Sequence, residues 1–274
     1  MQGNRVSDMF SALAKRGERV LVCYVVAGYP DIKTTEKAVD ALVAGGADII
    51  ELGIPFSDPI ADGPTIQQAA HMALEGGVTP DKVLALARVL RKKHPSLPIM
   101  AMTYSNILVR TGIDTFVAKA KASGIDGFIL PDMPVEEADA YLDSAKKRMM
   151  ATAFLASLNT SDARLEKIVA SSTGFLYLVS VYGITGARRR FESYTSDAIK
   201  KARRIAAGRV PIGVGFGISS PAHARFMIDA GADAIIVGSA IVDRITRAKS
   251  GKAMEADLKG FASSLKKMCR QHKP

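Results

Sequence analysis

Short apolar runs rich in β-branched residues alternate with longer amphipathic segments along the whole chain. Glycine, proline or aspartate bounds most of these runs, as is typical of strands that are buried on both faces. The pattern predicts eight strands, at Val20–Val26, Asp48–Leu52, Pro98–Met102, Gly127–Leu130, Met150–Phe154, Phe175–Ser180, Ile212–Gly215 and Ala234–Val237.

The segments between the strands carry apolar residues at helical spacing. We expect an extra helix near Val6–Lys15, ahead of the first strand, and another that opens at Gly63-Pro64. The other helical segments include Thr34–Ala44, Pro80–Lys93, Ile113–Ala122, Val135–Lys147, Ala163–Ala170, Ser196–Ile205 and Pro221–Asp229.

Eight strands that are each followed by a helix are the units of an α/β fold of the (β/α)8 TIM-barrel type. We therefore expect one TIM-barrel domain over residues 1–274, with the extra N-terminal helix. A length of 274 residues is ordinary for a single barrel of this kind. An open doubly wound sheet is the alternative, and the eight evenly spaced units favour the barrel over it.

The composition fits a protein with a large buried core. Hydrophobic residues make up 48% of the chain, yet no apolar run approaches the roughly 20 residues of a membrane helix. The polar N-terminus lacks the apolar region of a signal peptide. With Cys23 and Cys269 as the only cysteines, we expect neither a disulfide framework nor a cysteine metal site, and we predict a cytoplasmic location without membrane contact.

The formal net charge of +10 is unevenly distributed. Nine of the 37 Lys and Arg residues lie between Arg244 and Pro274, mostly on the last predicted helix. We interpret them as a solvated helix face, although docking of an anionic metabolite or an acidic partner stays open. Nucleic-acid binding is not expected, because the chain has no Trp and few aromatic residues to stack on bases.

Glu51 is the leading candidate for catalysis. It stands at the carboxyl end of a predicted buried strand, and a proline-rich loop with Asp58 and Asp62 follows it. Apolar surroundings disfavour the charged form of a carboxyl group and raise its pKa, which suits proton transfer. Asp62 is the expected second carboxylate, with capping of the next helix as its alternative role; a structural ion pair is the alternative for Glu51, and Asp58 is interpreted as a turn former.

Glycines follow the last three predicted strands, at Gly183–Gly186, Gly215–Ser219 and Val237–Ala240. Glycine lets backbone N–H groups approach an anion closely, and helix starts attract negative charge. The loops after strands seven and eight are the usual phosphate site of such barrels. Together these loops predict a site for a phosphomonoester.

Several further residues lie near the predicted strand ends. Tyr177 could face the barrel mouth or belong to the core, Tyr104 and Asn106 could line the apolar part of a ligand or form a turn, and Asp132 could equally be a helix cap. The four histidines have no metal-ligand spacing, so we predict no metal site.

The stretch Glu51–Gln67 closely resembles the signature of the tryptophan synthase alpha subunit family. The resemblance continues through Ala27–Asp31, Met102–Tyr104 and Leu130–Asp132, and through the three glycine loops. It implies reversible retro-aldol cleavage of indole-3-glycerol phosphate to indole and glyceraldehyde 3-phosphate. Glu51 would then be the proton shuttle, and Asp62 would accept from the indole N–H.

The resemblance also implies binding roles and partners. Gly186, Gly217, Gly238 and Ser239 would hold the phosphate, while Tyr24 and Tyr177 would pack near the indole. A pyridoxal-phosphate beta subunit would receive the indole in an alpha2beta2 heterotetramer, and this chain would need no cofactor of its own. The full substrate-binding set that we expect is Tyr24, Tyr104, Tyr177, Thr185, Gly186, Gly217, Gly238 and Ser239.

The sequence departs from the family pattern after strand six. Val181-Tyr182 stands where many members have an arginine, and Arg188–Arg190 makes the loop unusually basic, although Thr185 and the glycines are retained. The functional alternatives are a stand-alone lyase that releases free indole, another phosphate-binding barrel enzyme, a non-catalytic binding subunit and a nucleic-acid binder. The paired carboxylates argue against another barrel enzyme and a non-catalytic subunit. The confinement of the basic excess to the terminus argues against a nucleic-acid binder, while the sequence does not separate the stand-alone lyase.

Overall fold

The computed structural model describes residues 4–179, 193–215 and 217–270 of the chain. Its strands alternate with helices from one end of that part to the other. The strands are β1 (Val20–Val26), β2 (Ile49–Gly53), β3 (Ile99–Met102), β4 (Gly127–Ile129), β5 (Ala151–Ala153), β6 (Leu155–Ala156), β7 (Leu176–Val179), β8 (Ile212–Gly215) and β9 (Ala234–Val237).

Helices cover the outside of the strands. They are α1 (Arg5–Ala14), α2 (Ile32–Ala44), α3 (Pro64–Glu75), α4 (Pro80–Lys93), α5 (Ser105–Thr111), α6 (Ile113–Ala122), α7 (Asp139–Lys147), α8 (Asp162–Ser171), α9 (Ser193–Ala206), α10 (Pro221–Asp229), α11 (Ser239–Arg247) and α12 (Gly251–Arg270). Within the described part of the chain, no helix combines the length and the apolar character needed to cross a membrane.

The strands form one parallel sheet in the order β5-β4-β3-β2-β1-β9-β8-β7-β6. The two strands at its ends, β5 and β6, are separated by Phe154 alone. Because β5 pairs with β4 and β6 pairs with β7, this one stretch of chain joins both ends of the sheet. The sheet is therefore a nearly closed parallel barrel of eight units, and the expected TIM barrel is confirmed.

Most predicted elements agree with the structure, but the single helix predicted over Val135–Lys147 is wrong. A 3-10 turn at Val135–Glu137 precedes α7, which begins only at Asp139. Between them Ala138 adopts φ −90° and ψ 1°, away from α-helical geometry. The apolar spacing continues across this break, so the spacing alone did not reveal it.

The last helix is fastened to the amino-terminal end of the barrel by a buried ion pair. Lys266 of α12 is only 3% exposed, and its Nζ lies 2.8 Å from an Asp48 carboxylate oxygen and 3.4 Å from a Glu18 carboxylate oxygen. The same Asp48 oxygen accepts the Leu21 backbone N–H at 2.8 Å. A Cβ at Gly46 would lie 2.9 Å from Lys266 Cγ, so a side chain there would obstruct the lysine.

Candidate active site

Glu51 points into the barrel between two neighbouring strands. The parallel register places it opposite Tyr24 of β1 on one side and Met100 of β3 on the other. The residue is 1% exposed, and neither carboxylate oxygen has a hydrogen-bond partner among the described residues. The structural ion pair considered for Glu51 is therefore absent from the part of the chain that the structure describes.

Asp62 lies in the loop after β2 and is 5% exposed. It does not cap the next helix, because the N-cap of α3 is Gly63 and no side chain makes a capping hydrogen bond there. Its Oδ2 instead accepts the Tyr104 hydroxyl at 3.0 Å. The Gln67 side-chain amide donates to the Asp62 carbonyl at 2.8 Å and so ties the loop to α3.

The two carboxyl groups have different protonation behaviour. Burial, followed by the charge of Asp62, raises the pKa of Glu51 to about 8. Burial also raises the pKa of Asp62, to about 6, while the hydrogen bond from Tyr104 acts in the opposite direction. Near neutral pH, Glu51 is thus mainly protonated and Asp62 mainly ionised. In such a pair the protonated carboxyl group can act as an acid, while the ionised one can stabilise positive charge.

Tyr24 and Tyr177 complete the wall beside the carboxyl groups. Each ring extends over a glycine: a Cβ at Gly53 would lie 2.4 Å from the Tyr24 hydroxyl, and a Cβ at Gly215 would lie 2.5 Å from that of Tyr177. The pKa values of both phenols are raised well above the ordinary value, and burial is the largest cause. Both therefore stay neutral, and both line the cavity.

One cavity, open at its mouth, unites these side chains. Of the residues predicted from sequence, it brings together Tyr24, Glu51, Asp62, Tyr177, Gly217, Gly238 and Ser239. The sequence analysis did not predict the apolar residues that line this cavity. Their only signal in the sequence is that they lie on helices and strands near the barrel mouth. These residues are Ile66, Met102, Ile218 and Ile236.

The remaining predicted site residues lie elsewhere. Tyr104 is not part of the cavity wall, and its hydroxyl contacts Asp62 from outside. Asp132 accepts the Ser105 backbone N–H at 2.9 Å and its hydroxyl at 2.6 Å, so it binds the first residue of α5 and does not cap the 3-10 turn that follows it, whose N-cap is Pro134. Thr185 and Gly186 lie outside the described residues, as do Val181-Tyr182 and Arg188–Arg190.

The part of the cavity that follows β8 and β9 suits an anion. Gly217 adopts φ +76°, and Gly238 is the N-cap of α11, whose first residue is Ser239. The first backbone N–H groups of a helix have no intrahelical acceptor, and the helix dipole adds positive potential there. Across the described residues no group of three or more His, Cys, Asp or Glu side chains is placed to hold a metal ion.

Comparison with known proteins points to one family. The family profile described as "Tryptophan synthase alpha chain" matches residues 10–270. The chain is 44% identical over 263 residues to the tryptophan synthase alpha chain of a Picosynechococcus species, covering 95% of this chain and 97% of the relative. It is also 44% identical over 268 residues to that of Methanosarcina barkeri, covering 97% and 99%.

Solved structures give the same result. A Mycobacterium tuberculosis tryptophan synthase structure superposes with a TM-score of 0.89 at 32% identity, covering 99% of this chain and 100% of that one. A Pyrococcus furiosus tryptophan synthase complex superposes with a TM-score of 0.82 at 40% identity, covering 91% and 97%. The similarity thus extends over the barrel and the carboxylate-bearing loop.

Glu51 should make the stability of the fold depend on pH. Its pKa is raised from 4.5 to about 8, so its contribution to folding is fully present below pH 4.5 and is lost as the pH rises through about 8. We expect Glu51→Gln to gain roughly 2–5 kcal/mol in unfolding free energy relative to the unsubstituted protein between pH 5 and pH 9. Urea denaturation at several pH values measures this difference.

Asp62→Asn is the matched comparison for that experiment. The pKa of Asp62 is raised from 3.8 only to about 6, so its relative gain should be smaller and should be complete nearer to pH 7. A stability difference between Glu51→Gln and the unsubstituted protein that stays constant from pH 5 to pH 9 would show that Glu51 is not a desolvated acid.

Proposed function

The chain belongs to the tryptophan synthase alpha chain family, whose members are lyases that act on indole-3-glycerol phosphate, and we propose that Glu51 and Asp62 carry this reaction here. The family reaction is a retro-aldol cleavage to indole and glyceraldehyde 3-phosphate. The observation that carries the proposal is the buried Glu51 carboxyl, unpaired among the described residues and sharing one cavity with Asp62.

The first step is protonation of the substrate. Glu51, protonated near neutral pH, donates its proton to C3 of the indole ring. This breaks the aromaticity of the pyrrole ring and leaves positive charge on its nitrogen. The ionised Asp62 carboxylate accepts a hydrogen bond from the indole N–H and stabilises that charge. This electrostatic stabilisation is strongest in a site from which water is excluded.

The second step breaks the carbon–carbon bond. The Glu51 carboxylate, now ionised, takes the proton from the glycerol hydroxyl next to the bond that breaks. The oxygen lone pair forms the aldehyde carbonyl, and the electrons of the broken bond return to the ring and restore indole. Glu51 ends protonated as it began, and the indole ring itself has served as the electron acceptor, so we propose that this chain needs no cofactor.

The rest of the cavity orients the substrate. The aromatic side chains of Tyr24 and Tyr177 and the apolar side chains of Met102 and Ile66 suit a planar indole. The phosphate then lies against Gly217, Gly238 and the start of α11. Thr185 and Gly186, which the resemblance adds to this set, lie outside the described residues and stay predictions.

We propose that a beta subunit docks at the mouth rim of the barrel. Ile60, in the loop after β2, is 76% exposed, and Val109 of α5, after β3, is 60% exposed. Because β2 and β3 are adjacent strands, both residues follow neighbouring strand ends at the mouth. The Pyrococcus furiosus structure is a tryptophan synthase complex. Pyridoxal phosphate belongs in this proposal to the beta subunit, and the assembly to alpha2beta2.

The stand-alone lyase is not favoured, because the relatives matched over nearly the full chain are named as alpha chains. We further propose that residues 1–274 act as one domain.

Glu51→Gln should strongly slow indole release from indole-3-glycerol phosphate. Loss of a general acid and base costs about 10²- to 10⁴-fold in rate, so kcat should fall at least a hundredfold. Steady-state assays of indole release, with the beta subunit present and absent, measure this. Glu166→Gln, which removes an exposed carboxylate paired with Arg209 outside the barrel, is the control and should retain full activity. A Glu51→Gln variant with ordinary turnover would refute the assignment.

Ser239→Asp should weaken substrate binding with little effect on turnover. The new carboxylate would face the substrate phosphate at the start of α11, and the repulsion between them should raise KM roughly 10- to 100-fold. Ser239→Ala is the control, because it keeps the backbone N–H groups and should change KM only slightly. A KM that is equal in both variants would place the phosphate elsewhere.

Ile60→Asp should weaken the association with a beta subunit without impairing indole release by the isolated chain. A charge introduced into an apolar contact at an interface costs about 2–4 kcal/mol, or roughly 30- to 1,000-fold in Kd. Titration calorimetry against the beta subunit tests this, with Val89→Asp on the exposed face of α4 as the control. Equal affinities for the two variants would rule out docking at the mouth rim.

A further inference from the structure

The Tyr104 hydroxyl is held between two consecutive residues of the acidic loop. It lies 3.0 Å from the Ala61 backbone nitrogen and 3.0 Å from Asp62 Oδ2. A backbone N–H only donates, so the hydroxyl oxygen accepts from Ala61 and directs its own proton to Asp62. This order leaves one direction for the hydroxyl proton, toward the carboxylate.

The ring that carries this hydroxyl is also fixed. Tyr104 is 4% exposed and stacks on Phe56 of the same loop, with ring centroids 5.1 Å apart and planes 26° from parallel. On its other side the next residue, Ser105, is held by the Asp132 carboxylate. The hydroxyl therefore cannot leave Asp62 without disturbing either the stack or the start of α5.

The two oxygens of Asp62 are thereby placed in different surroundings. Oδ2 is occupied by Tyr104, whereas Oδ1 has no hydrogen-bond partner within the described part of the chain. Asp62 lines the cavity and Tyr104 does not. We infer that Tyr104 is a positioning residue that holds Oδ2 from outside the cavity, so that Oδ1 is presented, ionised, to the indole N–H. This inference rests on the proposed role of Asp62.

The charges around Asp62 explain why this contact matters. The titratable groups that face it are Glu51 of β2, Tyr24 of β1, Tyr177 of β7 and Tyr104. Burial raises the pKa of Asp62, and none of these groups is a cation. Within the described residues, the Tyr104 hydrogen bond is the contact that favours the ionised form.

Tyr104→Phe tests the inference because it keeps the ring and removes only the hydroxyl. The pKa of the Asp62 carboxyl, followed by carbon NMR in the substrate-free protein and assigned with Asp62→Asn, should rise by about one unit. The acid limb of the pH profile of kcat/KM should move to higher pH by the same amount, because this limb reports the pKa values of groups in the free enzyme. The loss of kcat/KM should then be about four times greater at pH 6 than at pH 7.5.

Two further variants sharpen the test. Tyr141→Phe removes another buried hydroxyl, one that contacts the Phe128 carbonyl at 3.5 Å, and it should leave the Asp62 pKa and the acid limb unchanged. Incorporation of 3-fluorotyrosine at position 104 strengthens the donor and should lower the Asp62 pKa. That result decides the inference even if Tyr104→Phe does not fold.

An unchanged Asp62 pKa in Tyr104→Phe, with kcat/KM reduced by the same factor at every pH, would overturn the inference and leave Tyr104 a packing residue. The lyase assignment would survive that result. Conversely, failure of the unsubstituted protein to release indole would refute the proposed function, while the NMR titration would still decide whether Tyr104 controls the ionisation of Asp62.

Discussion

The Glu51 carboxyl group lies at the end of β2 and has no hydrogen-bond partner among the described residues. The neighbouring strands keep it buried and unpaired. The strands on either side fill the space around Glu51 with Tyr24 and Met100, so water has little access to its oxygens. A buried carboxyl without a compensating charge favours its protonated form. The barrel thus holds a protonated carboxyl group at the carboxyl ends of its parallel strands. The roles proposed for the other residues of the site depend on this placement.

The second carboxyl group differs from the first through a single contact. Asp62 and Glu51 are both buried in the same cavity, but only Asp62 receives a hydroxyl hydrogen bond. That contact comes from a residue at the end of the neighbouring strand, just as α5 begins. A pair of like groups acquires two roles because the loop after one strand is packed against the end of the next.

The sequence was sufficient to predict the barrel and the place of Glu51, because the apolar run before it could only be a buried strand with its carboxyl end at the mouth. It was not sufficient to predict the partner of Asp62, since Tyr104 is 42 residues away and the contact depends on how side chains pack. An aspartate ahead of Gly63-Pro64 by itself suggests a helix cap, and only the presence of Glu51 favoured a catalytic role for Asp62.

Other differences have similar causes. The fifth predicted strand, Met150–Phe154, ends where the chain changes its pairing from one end of the sheet to the other, so it misses β6. The apolar pattern is the same on both sides of that change. The apolar cavity walls were not recognised because Ile and Met near the barrel mouth look like ordinary core residues in a sequence. Specific contacts between distant residues, rather than local propensity, account for what was missed.

The ion pair of Lys266 has a consequence for how the chain is completed during synthesis. It joins the last helix to the residues around β1, and β1 itself pairs with β9, whose residues lie more than two hundred positions later. Contacts so distant in sequence carry a large loop-closure entropy and are expected to form late. The first strand, β1, therefore gains its full set of neighbours only after β9 and α12 have been synthesised. A chain shortened near either end loses the same contacts between β1, β9 and α12.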